Sequence, residues 1–128
     1  MRNMLFAAAG AALLVTPALA RESAWMGLGV RAINAQTTSQ TIEVDGTNVP
    51  RETMFCSEDA AVQIVSAEFR YRSGDTQTLS LRTRVRAGDC SRIIGLRNRD
   101  AELASVSFTA DPASLASGAT ARVRVLVR

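Results

Sequence analysis

The chain has 128 residues, with 15 basic and 12 acidic side chains, a net charge of +3 and no histidine. The lack of histidine removes the commonest general base, every Ser-His or Cys-His nucleophile pair and most catalytic zinc sites. All the basic residues are arginine; that suits bidentate anion recognition, and GC-rich codon usage produces the same composition without any function.

The first twenty residues read as a secretory signal. Arg2 supplies a positive start, Leu5 to Val15 form an uncharged apolar core, and Pro17 precedes the A-x-A site Ala18-Leu19-Ala20. The core is shorter than the roughly 20 apolar residues a spanning helix needs. A buried N-terminal helix is the alternative. Cleavage after Ala20 leaves 128 − 20 = 108 residues, enough for one domain and one core. No later segment is apolar enough to insert as a transmembrane helix. The expected location is the periplasm or the cell exterior.

Period-two alternation dominates from there. Ala24–Ile33 reads as a first strand, opening near the only tryptophan, Trp25. In "QTIEVDG" Ile42 and Val44 share a face before a turn at Asp45-Gly46. "PRETMFCS" reads as another strand with Met54 and Cys56 on one face, its start limited by Pro50. Glu58-Asp59, the only adjacent acids, read as turn residues that point apart. Along Ala61–Arg72, Val62 and Ile64 share one parity while Val65, Ala67, Phe69 and Tyr71 share the other. That phase slip predicts a bulge or bend. Ser73-Gly74-Asp75 closes a hairpin onto Leu79, Leu81, Thr83 and Val85. Ser91–Arg97 reads as a short strand, and the next places Ala104, Val106 and Phe108 inward. Asp111-Pro112 predicts a capped single turn of helix through Leu115. The last strand puts Val123, Val125 and Val127 inward. Seven to eight short strands with frequent turns predict an all-β fold, a single antiparallel, jelly-roll-like β-sandwich at 21–128.

Cys56 and Cys90 are the only cysteines. In an oxidising compartment an even count makes a disulfide the default, with two separate buried thiols as the alternative. No cofactor or metal site is expected. Two cysteines without histidine make half a zinc site, Asp45-Gly46-Thr47-Asn48 lacks the distal glutamate of a calcium loop, and Gly27-x-Gly29 has no phosphate-loop context.

Trp25 with Leu28-Gly29, the run from Tyr71 through "SGDTQTLSLRTRVRAGDCSRIIGL", and "ASVSF" resemble a group of small exported bacterial proteins of unknown function with an early W…LG motif. The sequence departs from that pattern at Cys90 and at Ile94-Gly95. The resemblance implies a β-sandwich and an exported location. It implies no activity, so no catalytic residue is carried over; the missing histidine, the lack of a converging pair of acids and the lack of a phosphate loop are what make the chain read as a non-enzyme.

The arginines are the remaining signal. Residues 69–128 hold eleven of them against five acids. If the apolar parity faces the core, Arg70, Arg72, Arg82, Arg84, Arg86, Arg122, Arg124 and Arg128 face outward, about 7 Å apart along a strand. They form a candidate surface for an anionic ligand: an acidic glycan, a lipid headgroup or an acidic envelope protein. A solvated outer face is the alternative reading. Nucleic acid is not expected, because stacking aromatics are missing from these rows. A second possibility, of a different class, is a partner-binding module using a sheet edge or the Trp25, Met26 and Leu28 region.

Overall fold

The computed structural model describes residues 24–98 and 100–128. The signal peptide expected at 1–20 lies outside them. Eight strands, numbered in chain order, run β1 Met26–Ile33, β2 Ser39–Glu43, β3 Glu52–Glu58, β4 Val62–Tyr71, β5 Thr76–Val85, β6 Ile94–Gly95, β7 Leu103–Ala110 and β8 Ala121–Val127. They form two four-stranded sheets, ordered β1-β8-β3-β6 and β2-β7-β4-β5, with every ladder antiparallel.

The pairing has a simple rule. β1 pairs β8, β2 pairs β7, β3 pairs β6 and β4 pairs β5. The chain is therefore one long antiparallel ribbon, folded at the β4–β5 turn and rolled into two layers. This is the jelly roll the alternation predicted. Gly74 makes the fold-back possible with φ +99, a value open to few residues but glycine. The Gly74 N–H donates to the Tyr71 carbonyl, and the Tyr71 N–H to that of Asp75.

Inward parity fills one core. Phe55, Phe69, Val106, Phe108, Val123 and Val125 are at most 1% exposed, and the rings of Phe55 and Phe108 meet edge to face at 5.9 Å. Met54 and Cys56 do share a face, but it is the outer one. Thr53, Phe55 and Ser57 point in. Burying Thr53 and Ser57 is affordable because each hydroxyl donates to a carbonyl, of Leu126 and Ala60 respectively.

The predicted slip in β4 lies between Ile64 and Ser66, in the ladders to both neighbours. Because of it Val62 and Ile64 face the core on one side of the bulge, and Ala67, Phe69 and Tyr71 on the other. β5 answers with its own irregularity at Arg82, which has φ +46. The segment Ser91–Arg97 is less regular than expected: only Ile94–Gly95 is strand. Arg97 N–H nevertheless donates to the side-chain oxygen of Gln77, a polar residue on the inward parity of β5. Asp111 caps a single 3-10 turn, Pro112–Ser114, accepting from the Ala113 N–H. Cys56 and Cys90 form a disulfide that fastens the chain leaving β5 to β3. A cross-link closing a loop this long stabilises by about 3–4 kcal/mol in the chain-entropy account.

Candidate functional site

The topology separates the outward arginines into two groups. Arg70 on β4 and Arg82 and Arg84 on β5 belong to one sheet, with Arg72 and Arg86 just beyond those strands. Arg122 and Arg124 lie on β8, between β1 and β3 in the other sheet. In a two-layer sandwich the two outer faces look in opposite directions, so the arginines on β4 and β5 and those on β8 do not share a face. Asp59 links the two groups at one end, pairing with Arg122 and bordering the same groove as Arg84.

The two groups also differ in their partners. Glu58 Oε1 lies 3.1 Å from Arg122 and its Oε2 2.6 Å from Arg124. Asp59, held at φ +74, brings its carboxylate to 2.8 Å from Arg122 Nε. The adjacent acids were expected to point apart; the left-handed turn at Asp59 instead aims both at one guanidinium. The hydrogen bond from Arg122 to Asp59, and then the charges of Asp59 and Glu58, push the Arg122 pKa further up. Arg128 lies 2.7 Å from Glu52 and stacks 4.4 Å above the Trp25 ring. On this face each arginine of β8 and its C-terminal neighbour has a carboxylate.

On the other sheet, Arg72 serves the loops. Its guanidinium donates to the carbonyls of Val44 and Gly46 and lies 3.5 Å from Glu102. Arg70 is 3.8 Å from Glu68. Arg82, Arg84 and Arg86 are exposed and have no ion pair among the described residues. Arg92 donates to Thr83 Oγ1 at 2.8 Å, on the inward parity of β5 rather than on the face of Arg82 and Arg84.

Arg84 also lines an open groove of about 700 Å³. The β3–β4 turn (Asp59, Ala60), the chain after β5 (Ala87) and the 3-10 turn (Ala113, Leu115) form its walls. Around Trp25, Met26 is 55% exposed, while Leu28 packs against the core. β5 is the outer strand of its sheet, and its free edge makes no backbone pairing among the described residues.

Sequence reasoning missed the rest of the face that carries these arginines. Register aligns three rungs across β2, β7, β4 and β5: Ser39, Thr109, Ser66 and Ser80; Thr41, Ser107, Glu68 and Thr78; Glu43, Ser105, Arg70 and Thr76. Nine of these twelve positions on the outward parity are Ser or Thr, one of which, Ser105, is buried. None is aliphatic or aromatic. The signal was present as i, i+2 hydroxyls in "SQT", "TQTLS" and "SVSFT", but only the strand order brings them together. The opposite sheet's outer face differs, with Val30, Met54 and Leu126 among its ion pairs.

A family model described as a domain of unknown function, DUF2541, matches residues 7–127, and the chain belongs to that family. No curated protein sequence matches it. Among solved structures, AlgX of Pseudomonas aeruginosa is similar with a TM-score of 0.54 at 12% identity, over 80% of this chain and 26% of AlgX. The chain thus spans about a quarter of AlgX. The SPBc2 prophage-derived protein YomS matches at 12% identity over 80% of this chain and 89% of its own, with a TM-score of 0.41. Protein NMB1881 of Neisseria meningitidis matches at 11% identity over 78% and 84%, with a TM-score of 0.23. At such identities the likeness to AlgX is one of fold.

Proposed function

We propose that this member of the DUF2541 family is an exported, non-enzymatic binding protein of the periplasm or cell exterior that holds an anionic ligand through Arg82, Arg84 and Arg86. The observation that carries the reading is the contrast between the two sheets. Arg122, Arg124 and Arg128 are each matched by Glu58, Asp59 or Glu52, whereas Arg82, Arg84 and Arg86 have no ion pair among the described residues. Like charges lined along a strand repel one another, and a bound anion relieves that cost. Export is supported by the apolar segment Leu5–Val15 and the A-x-A site, most of which the family match takes in. The disulfide fits an oxidising compartment.

The test is retention on a heparin column at low salt. The triple variant R82Q/R84Q/R86Q should elute at markedly lower salt than the wild type, while R122Q/R124Q should elute with it. Unchanged retention of the triple variant would overturn the proposal.

A further inference from the structure

We infer that the ligand is an anionic polysaccharide lying on the hydroxyl-covered outer face of the β2-β7-β4-β5 sheet; this rests on the anion-binding reading above and names its ligand class. The three rungs set hydroxyls at about 4.8 Å between strands and about 7 Å along them. Ser39 pairs with Thr109 and Thr41 with Ser107, each at 2.9 Å. Each such pair uses one hydroxyl hydrogen, leaving a second donor and several lone pairs directed outward. A surface of this kind matches a polymer whose own surface is hydroxyl groups.

The charges lie at its ends. Along β5 the outward row reads Thr76, Thr78, Ser80, Arg82, Arg84, and Arg70 lies beside Thr76 at the opposite end. A flexible chain that follows this row around its bend at Arg82 meets hydroxyls in the middle and guanidiniums at both ends. Two carboxylates lie on the rungs, and a third, Asp59, borders the groove beside Arg84 but is paired with Arg122. Glu68 is paired with Arg70, and Glu43 is on β2, three strands and about 14 Å from β5. The charge balance beside β5 therefore favours anions.

Composition argues against the other occupants. Protein interfaces have cores enriched in aromatic residues and Met and depleted in Ser, and none of the twelve rung positions is aromatic or Met. Docking on a membrane adds apolar insertion to the attraction of anionic headgroups, and this face has nothing apolar to insert.

The test compares polygalacturonate, a carboxylated polysaccharide, with inorganic polyphosphate, neutral dextran and anionic phospholipid vesicles. The proteins are wild type, R82Q/R84Q/R86Q and the hydroxyl variant T78V/S80A/S107A, with folding checked by circular dichroism and Tm. The wild type should bind polygalacturonate and not dextran. The hydroxyl variant should weaken that binding at least about tenfold, the combined effect expected of several lost hydrogen bonds, while its binding to polyphosphate stays the same. The arginine variant should lose both polyanions. If the hydroxyl variant binds polygalacturonate as well as the wild type, or vesicles or polyphosphate are bound more tightly than the polysaccharide, the inference fails and anion binding stands. If the arginine variant matches the wild type on every anion, both fail.

Discussion

Arg124 Nη2 lies 2.6 Å from Glu58 Oε2, across the β8–β3 ladder and on the side of the sandwich away from β5. The contact withdraws one guanidinium from the pool available to anions. Glu58→Gln should release it, since Arg122 retains Asp59 but Arg124 has no second acid partner among the described residues. The variant should elute from heparin at higher salt than the wild type, with its polygalacturonate affinity unchanged. A rise in that affinity would mean that the β8 face takes part in binding.

Removing the disulfide with Cys56→Ala and Cys90→Ala together should cost about 3–4 kcal/mol. In a domain of this size that lowers Tm by more than about 12 °C. Differential scanning calorimetry with and without a thiol reductant checks it. The wild type with reductant should resemble the double variant, and a reductant effect in the double variant would refute the assignment.

Arg82 occupies the left-handed region, where a side chain costs about 1–2 kcal/mol. Arg82→Gly should therefore raise stability by about 0.5–1 kcal/mol after the extra chain entropy of glycine. Arg82→Val should lower it. Thermal melts of the two variants decide the point, and a glycine variant less stable than wild type would contradict the backbone argument.

Tyr71 is 2% exposed, and its hydroxyl has no hydrogen-bond partner among the described residues. Burial pushes its pKa above 10.0, with the Arg97 charge drawing it partly back. The unfolded chain then loses this proton at lower pH than the folded one, so stability falls as pH rises from about 10 towards the folded pKa. The chain has one tyrosine and no lysine, and its cysteines are bridged, which leaves Tyr71 the only described side chain to titrate there. Tyr71→Phe should match or exceed wild type at neutral pH, by up to about 1 kcal/mol. It should also flatten the alkaline loss, as read from urea midpoints near pH 8 and pH 11. An equal loss in both proteins would count against the assignment.

Alternation made the strands and their faces legible, because side chains on a strand repeat every two residues. The β4 bulge showed in the sequence because hydrophobic parity changes at Val65. Its counterpart at Arg82 did not show, since Leu79, Leu81, Thr83 and Val85 keep one parity through it. Parity also says which residues share a face without saying which face is buried: Met54 and Cys56 read as sharing one, and only the structure shows that it is the outer face. The arginines could be recognised as outward but not assigned to sheets. Rolling the ribbon sends β8 beside β3 and leaves β5 at an edge, and those are long-range pairings that local pattern does not encode.

The irregularities near Val65 add up across the sheet. Where β7 advances one residue, from Thr109 to Ala110, β4 advances two, from Ser66 to Ile64, and β5 three, from Ser80 to Thr83. Two surplus residues of about 3.3 Å each, over two strand spacings of about 4.8 Å, splay the strands like the ribs of a fan by up to roughly 35°. Arg84 and Arg86 thus head away from the line of Thr76, Thr78 and Ser80. A stiff rod laid on the hydroxyls would miss them, and only a chain with rotatable joints between its units can follow the corner.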